Sequence, residues 1–307
     1  MKLIIQIPCY NEEKTLGCTL SCLPRKIENI ESVEWMIIDD GSTDKTLEVA
    51  KSYGVDHIVA MPCHVGLAKS FLHGIKACVS LGADMIVNTD ADNQYCAEDI
   101  SKLISPVLNG YADMSIGSRP IEEIAHFSFA KKKLQRIGSA VIRWISRTPV
   151  EDAACGFRCI NRKAAIRIRI FSQYSYTLET IIQASQADLK ISSVPIRVNP
   201  PLRPSRLFQS MFAYLWYSAW TVVRSCFNYY PFSTFILFCL FFLMAGLLFF
   251  TLYIMAASSI FFLVPGFVFL LVGSMCFPLA FTAEQIQINR MMLEEILENS
   301  SLQKKEK

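Results

Sequence analysis

The sequence predicts an α/β domain, a mostly parallel sheet covered by helices on both faces, followed by an interfacial helix and two transmembrane helices. Three observations carry that expectation. Short apolar runs at residues 3–8, 35–38, 57–60, 84–89 and 114–116 alternate with stretches of helical periodicity, as in β-α-β units. Three of these runs end in polar clusters, at residues 10–12, 39–44 and 90–94, which parallel strands would deliver to one edge of the sheet. Finally, no charged residue occurs between Ser225 and Ala283.

Composition bounds the functional classes. The 307 residues carry 30 Lys and Arg against 27 Asp and Glu, so no basic stripe points to nucleic acid. A hydrophobic content of 52% is high for a soluble protein, and the excess is concentrated near the C-terminus. The 11 cysteines are scattered. Cys18/Cys22 and Cys155/Cys159 share a four-residue offset, but neither pair has His partners at zinc-site spacing. No secretory signal opens the chain, so reduced thiols in the cytosol are expected.

Taken in order, residues 3–8 form a buried strand, and Cys9-Tyr10-Asn11-Glu12-Glu13 turns into a helix whose start carries acids, as a helix dipole favours. The second strand, 35–38, ends in Asp39-Asp40-Gly41-Ser42-Thr43-Asp44. Here Gly41 permits a tight turn, and Ser42 or Thr43 is expected to cap a helix beginning near Lys45. A third strand at 57–60 precedes a helix over 67–81, a strand at 84–89, a helix over 97–108 and a strand at 114–116. His57 and His73 fall on these patterns and read as structural.

The stretch Asn88-Thr89-Asp90-Ala91-Asp92-Asn93-Gln94 holds the chemistry. In extended geometry Asp90 and Asp92 project to one side, and Gln94 follows as the chain turns out. Oxygen ligands gathered this way suit Mg²⁺ or Mn²⁺, which keep positions for water and phosphate. A merely solvated acidic turn is the plainer alternative. The preceding apolar run argues against it, because it places the pair at the carboxyl end of a strand, where open α/β sheets bind ligands. A crevice of carboxylates with a cation suits a diphosphate-bearing ligand whose base and ribose are held by acids. Neither Gly-x-Gly-x-x-Gly after the first strand nor a Walker A sequence is present, which disfavours dinucleotide dehydrogenases and P-loop NTPases.

The chain resembles the family-2 glycosyltransferases with a GT-A fold. The resemblance rests on Pro8-Cys9-Tyr10-Asn11-Glu12-Glu13, Asp39-Asp40-Gly41-Ser42-Thr43-Asp44, Gly66 through Gly74, Asp90-Ala91-Asp92-Asn93-Gln94, Gly117-Ser118-Arg119 and Asp152-Ala153-Ala154-Cys155-Gly156-Phe157-Arg158. It spans about residues 1–207 and looks most like the polyprenyl-phosphate branch, the dolichol-phosphate mannosyltransferases and undecaprenyl-phosphate glycosyltransferases. The resemblance implies a nucleotide-sugar donor held by Pro8, Tyr10, Glu12, Asp39, Asp40, Lys69 and Asp90. It implies a metal at Asp90, Asp92 and Gln94, with Arg119 and Arg158 as further cations facing the departing nucleoside diphosphate. His64 stands where the family often has Asn. Arg203-Pro204-Ser205-Arg206 resembles the family's late Ser-Lys phosphate loop, with Arg in place of Lys. Arg203, Ser205 and Arg206 would hold an acceptor phosphate, and Arg adds bidentate geometry. A basic rim beside a membrane is a second, compatible reading of the two arginines.

Beyond Ser205 the pattern changes. Phe208, Phe212, Leu215, Trp216, Ala219, Trp220 and Val223 follow helical spacing, the signature of a helix lying in the membrane interface. Residues 232–257 and 260–283 each exceed the ~20 residues needed to span hydrocarbon. The link at Ser258 and Ser259 is uncharged, while Arg206, Arg224, Arg290, Lys304, Lys305 and Lys307 lie outside the pair, which places both ends in the cytoplasm. Pro265 and Pro278 are expected to kink the second span. The tail from Glu284 reads as an amphipathic helix, on the surface or pairing subunits into a homo-oligomer, with a solvated Lys-rich end. The expected organisation is therefore 1–207, a cytosolic catalytic domain; 208–231, juxtamembrane; 232–283, a transmembrane hairpin; and 284–307, a cytosolic tail. His126 and the lysines of 131–133 suggest a mobile loop near the membrane or diphosphate. Arg143-Trp144 resembles part of the processive synthases' Gln-x-x-Arg-Trp motif, but Ala140 occupies the Gln position and the match is a coincidence.

The expected activity is metal-dependent transfer of a sugar from a UDP- or GDP-linked donor to polyprenyl phosphate, with inversion. Transfer to a hydroxyl of a lipid-linked glycan or glycolipid is the enzyme alternative, and a nucleotide-sugar sensor without chemistry is the non-enzyme one. A hydroxyl acceptor needs a positioned base, and the nearest counterpart, Thr177-Leu178-Glu179-Thr180, has a single acid.

Overall fold

The computed structural model describes residues 1–124, 127–170, 176–202, 211–255 and 260–303, without the side chains of 211–215, 218 and 294–303. Two compact units divide the chain, Met1–Val222 and Val223–Lys307.

The first unit is built on seven strands: β1 (Lys2–Cys9), β2 (Ser32–Asp39), β3 (His57–Ala60), β4 (Met85–Asn88), β5 (Met114–Ser118), β6 (Arg158–Asn161) and β7 (Ile191–Pro195). They pair in the order β3-β2-β1-β4-β6-β5-β7. Every pairing of these strands is parallel except the two made by β6, which runs antiparallel between β4 and β5. The helices α1 (Leu16–Cys22), α2 (Thr46–Ser52), α3 (Leu67–Ser80), α4 (Ile100–Leu108), α5 (Phe129–Ser146), α6 (Arg162–Arg167) and α7 (Thr177–Gln186) connect the strands. The central strands are apolar without alternation: Leu3, Ile4, Ile5 and Ile7 of β1 are all fully buried. That pattern belongs to a sheet covered on both faces.

One expected helix start is displaced, and one expected helix cap is made by another residue. α1 begins at Leu16 and has no acid in its first turn. Glu12 sits a turn ahead, its carbonyl accepting from the N–H groups of Thr15 and Leu16 and its carboxylate accepting from Thr15 Oγ1 at 2.7 Å. α2 begins at Thr46, and neither Ser42 nor Thr43 caps it. Asp44 serves instead, accepting from Thr46 N at 3.0 Å, because Ser42 and Thr43 are engaged with Asn11 across the neighbouring loop.

α8 (Met211–Tyr229) exposes Trp216, Ala219, Trp220 and Val223, the residues with described side chains on the face expected to lie in an interface. Phe208 lies outside the described residues.

In the second unit α9 (Pro231–Met255) and α10 (Ile260–Gln303) form an antiparallel pair. Glycines set their approach: a Cβ on Gly246 would lie 2.7 Å from Leu270, and one on Gly273 3.1 Å from Leu243. Small residues at such contacts let helix backbones close where no water drives association. Pro231–Met255 and 260–293 are long and apolar enough to cross a membrane by length and composition. α10 continues through Pro265 and Pro278 and on past Glu284 as one helix of 44 residues, so the tail's helix continues the second span. Nothing between Ala283 and Gln303 stops propagation, since the stretch has neither Gly nor Pro.

Candidate active site

The pairing register brings the functional segments together. β1, β2 and β4 end at Cys9, Asp39 and Asn88, all pointing their carboxyl ends to one edge. β5 runs the same way, delivering Arg119 there, and antiparallel β6 starts there with Arg158 opposite Asn88. The site therefore lies where successive connections leave β1 and β4 in opposite directions along the sheet, a topological switch point.

The first two loops are stitched to each other. Asn11 N donates to Ser42 Oγ at 2.9 Å, Glu12 N to Thr46 Oγ1 at 2.8 Å and Glu13 N to Asp44 Oδ2 at 3.1 Å. In return Thr43 N donates to Asn11 Oδ1 at 2.8 Å. Asn11 takes a left-handed conformation (φ 54°), which Asn tolerates better than most residues. Gly41 does so too (φ 72°), and a Cβ there would meet the backbone of Cys63 and His64 at 2.8 and 2.9 Å. Asp40 completes the enclosure: its buried carboxylate accepts from Val65 N at 2.7 Å and Gly66 N at 2.9 Å and pairs with His64 Nδ1 at 2.8 Å. The His64 ring stacks on Tyr10, centroids 4.0 Å apart, so the chain's departure at this position builds a wall beside Tyr10.

The cleft is strongly negative. Burial raises the Cys9 thiol well above its usual range, and the charges of Glu12, Asp39, Asp44 and Asp90 add to that rise. At Asp90 burial comes first and the neighbouring Asp92 second, and together they push the carboxyl up to about 7. The Tyr95 hydroxyl and the Arg119 charge oppose the shift. Gly156 packs against this carboxylate, where a Cβ would lie 3.3 Å from Asp90 Oδ1 and 2.9 Å from Tyr176 Oη. Asp92 Oδ1 accepts from Gln94 N at 3.2 Å, closing the turn through left-handed Asn93.

Among the described residues no group of three or more His, Cys, Asp or Glu can hold a metal ion. The donor set is two adjacent carboxylates and an amide, all oxygen, one carboxylate raised in pKa by burial beside its like-charged neighbour. Such a set fits a hard cation that takes its other ligands from water and a diphosphate. It does not fit a self-contained protein cage.

Arg119 and Arg158 part company. The Arg119 guanidinium grips Asp152 with two hydrogen bonds, 2.6 Å from Nε and 3.1 Å from a terminal nitrogen, and its charge reaches Asp90. Burial alone would lower its pKa, but Asp152 raises it well above the ordinary value, so it is a fixed cation. Gln135 of α5 donates to the same carboxylate at 3.3 Å. Arg158, expected at the leaving group, is instead fully buried. Its three nitrogens donate to Cys155 O at 2.8 Å, Ala153 O at 3.0 Å and Thr180 Oγ1 at 2.6 Å. It braces the loop that carries Gly156, because the antiparallel β6 turns its side chain into the interior.

The other expected positions are placed as follows. Pro8 is buried in β1 opposite Ile38, and Asp39 accepts from Ser42 N. Lys69 is exposed in the first turn of α3. Arg203, Ser205 and Arg206 lie outside the described residues. The segment leading to them is held along the metal-motif turn: Tyr95 bridges Val198, Asn199 N donates to Gln94 O at 2.8 Å, and Asn199 Nδ2 to Asn93 O at 2.9 Å. Arg197 anchors it by pairing with Asp99 at 3.0 Å. His57 pairs with Glu34 at 2.6 Å and His73 bonds the Lys69 carbonyl at 3.0 Å, both structural.

Sequence reasoning missed Tyr95, Tyr176 and Gln135, and it gave Asn88, inside the stretch it singled out, no role of its own. Asn88 links Gln6 Nε2 at 3.0 Å to Gly156 O and Tyr176 Oη, both at 2.9 Å. A polar Gln6 inside an otherwise apolar first strand is the one signal in the sequence for this network.

Residues 4–169, more than half of the chain, match the family described as Glycosyl transferase family 2. An uncharacterised protein of Methanocaldococcus jannaschii is 33% identical over 208 residues, 64% of this chain and 81% of its own length. The UDP-N-acetylglucosamine–dolichyl-phosphate N-acetylglucosaminyltransferase of Methanococcus voltae is 28% identical, covering 62% of this chain and 83% of that protein. The polyprenol monophosphomannose synthase of Mycolicibacterium smegmatis is 24% identical, covering 63% and 76%. Among solved structures, glucosyl-3-phosphoglycerate synthase from Mycobacterium tuberculosis with Mn²⁺, UDP and its product superposes with a TM-score of 0.56 at 17% identity, covering 73% of this chain and 78% of that one. The same enzyme has also been seen with Mg²⁺ and UDP, at a TM-score of 0.52 and 16% identity, covering 66% and 72%. The likeness fixes the fold as GT-A, and with the sequence match to residues 4–169 it makes this chain a member of glycosyltransferase family 2.

Proposed function

We propose that this glycosyltransferase moves a sugar from a UDP- or GDP-linked donor to a polyprenyl phosphate, with inversion, from the cytosolic face of a membrane. The observation that carries the reading is the pinned segment 195–199. It leaves the metal-motif turn at Asn199, four residues before Arg203 in the sequence. Arg203, Ser205 and Arg206 thus enter the chain between the donor cleft and α8 with its exposed tryptophans. Relatives described as acting on dolichyl phosphate and as a polyprenol monophosphomannose synthase support the same acceptor.

In this mechanism Tyr10, Glu12 and Asp39 hold the base and ribose. Asp90, Asp92 and Gln94 would hold a divalent cation, which would supply charge neutralisation at the departing diphosphate. Arg119, held charged by Asp152, adds a second fixed positive charge on that side. An acceptor phosphate oxygen attacks the anomeric carbon from the opposite face as the bond to the nucleoside diphosphate breaks. The phosphomonoester is largely ionised near neutrality, its second pKa being about 6, so no protein base is required. Arg203, Ser205 and Arg206 hold it by charge and hydrogen bonds. A hydroxyl acceptor would need a base within reach, and Glu179, the acid at hand, is buried in α7.

Arg206→Ala should lower transfer to polyprenyl phosphate by two orders of magnitude or more while donor affinity stays near normal. Glu179→Gln should keep appreciable activity. Loss of activity in Glu179→Gln with normal turnover in Arg206→Ala would replace this acceptor by a hydroxyl.

A further inference from the structure

Cys18 and Cys22 stand one turn apart on α1, and both are exposed, whereas Cys9, Cys78, Cys155 and Cys159 of the same unit are buried. The helix face that carries them meets the metal-motif turn. Thr19 Oγ1 donates to Ala91 O at 2.9 Å, and Asn93 Nδ2 donates to Cys18 Sγ at 3.3 Å. Ala91 and Asn93 flank Asp92. Asn93 is held left-handed (φ 54°), and its carbonyl accepts from Asn199 Nδ2 at 2.9 Å. The Cys18 sulfur is therefore one of the partners that hold the turn carrying the acids.

The second thiol lies against the first. Burial raises the Cys22 thiol above its ordinary range, and the charge of Cys18 and a hydrogen bond with it add to the rise. Cys96 adds further, and a hydrogen bond with Asn93 opposes it. Residues four apart on a helix set their Cβ atoms about 5–6 Å apart, whereas a disulfide needs about 3.5–4.5 Å. The gap of about 1–2 Å closes most easily at the end of the helix. Cys22 is the last residue of α1, Leu23 is already extended (φ −71°, ψ 137°), and Pro24 follows. The Leu23 N–H reaches Leu20 O at a long 3.3 Å, so this last turn opens at little cost.

We propose that Cys18 and Cys22 form a dithiol site that takes a low-molecular-weight disulfide, and that its closure to a disulfide within α1 loosens the metal-motif turn. The Cys18 thiolate attacks one sulfur of the incoming disulfide, giving a mixed disulfide and one released thiolate. The Cys22 thiolate then attacks the Cys18 sulfur and releases the second. Two protein thiols are oxidised, one external disulfide is reduced to two thiols, and the two protons lost by the cysteines end on those thiols. Both sulfurs that meet Asn93 are consumed by the new bond and both must move to form it. The left-handed residue between Asp92 and Gln94 thereby loses its side-chain anchor on α1. The inference goes beyond the transfer reaction, and it rests on the metal reading only for its last consequence, weaker cation-dependent donor binding.

The test uses the full chain in detergent, with Cys63→Ser to remove the exposed thiol beside Gly41, in mixtures of reduced and oxidised glutathione. Trypsin releases both cysteines on one peptide, residues 15–25. In excess oxidised glutathione that peptide should lose two hydrogens without gaining glutathione, and dithiothreitol should restore them. Hydrogen exchange at residues 89–95 should then quicken several-fold, and Mn²⁺-dependent binding of UDP or GDP should weaken several-fold. Cys22→Ser should keep the exchange and binding of the reduced protein, yet retain glutathione at Cys18 and form no bridge. Absence of the Cys18–Cys22 disulfide in excess oxidised glutathione overturns the proposal, as does a bridge from either cysteine to Cys96 in its place. A Cys18–Cys22 disulfide that leaves exchange at 89–95 unchanged overturns it equally. Faster exchange with unchanged Mn²⁺-dependent binding would uphold the switch and remove the metal assignment, so the two readings fail separately.

Discussion

Asp152 touches no expected substrate atom, yet the site geometry makes it one of the most sensitive positions in the chain. Its carboxylate is 1% exposed and Arg119 is 8% exposed, with contacts of 2.6 and 3.1 Å. At an effective dielectric near 20 and a charge separation of about 4 Å, their attraction is about 4 kcal/mol. Removing the acid leaves a guanidinium buried without its counter-charge, a loss of about 3–5 kcal/mol. Gln135 also loses an acceptor, adding about 1 kcal/mol. Asp152→Ala should therefore destabilise the first unit by about 4–6 kcal/mol. Asp152→Asn, which keeps the shape and one acceptor, should cost roughly half of that. Removing both charges, in Asp152→Ala with Arg119→Met, should recover most of the loss, with a coupling energy of about 3 kcal/mol. Hydrogen exchange of peptides from β1 and β4 against urea, on protein in detergent, reads the opening of the sheet without requiring the membrane helices to unfold. A displaced Arg119 should in addition slow transfer by Asp152→Asn about 100-fold at saturating donor. Asp152→Ala within about 1 kcal/mol of the parent, or a strictly additive double variant, would refute the claim that this pair is buried and coupled.

Three further outcomes are expected. Asp92→Asn should abolish transfer and weaken metal-dependent donor binding with the fold retained, as seen by calorimetry; near-normal activity at saturating Mg²⁺ and Mn²⁺ would remove the metal assignment. In chelator, Asp90 holds a proton up to about 7 in the native state but only to 3.8 when unfolded. The native state then binds more protons across that window, so its melting temperature should fall as pH rises from about 4 to about 7, and added Mn²⁺ should flatten the slope; a rising profile in chelator would contradict the buried carboxylate pair. In a background without native cysteines, Ser258→Cys should label with an impermeant thiol reagent from outside intact cells and Ser301→Cys only after lysis. The reverse pattern would put the donor cleft on the wrong side of the membrane.

The elements that repeat a local pattern are legible in the amino-acid sequence alone. The central strands β1 and β4 are nearly continuous apolar runs because both faces of each are buried, and burial on both faces leaves its mark along the run. The polar clusters at their ends, the charge-free stretch before Glu284 and the alternation of strands with helices are equally local, and together they specify a cleft of acids on an α/β sheet. Tertiary structure decided whatever depended on a partner distant in sequence. β6 is not among the expected strands, and its insertion antiparallel between β4 and β5 sets Arg158 against Ala153, Cys155 and Thr180. Arg119 finds Asp152 33 residues away, and His64 reaches Tyr10 and Asp40 only because Gly41 admits the backbone of Cys63 and His64. α5 replaces the mobile loop expected around Lys131 to Lys133, and the hydrogen bonds from Gln135 and to Ser139 decide which of its faces the fold keeps, since a buried polar group must be paired.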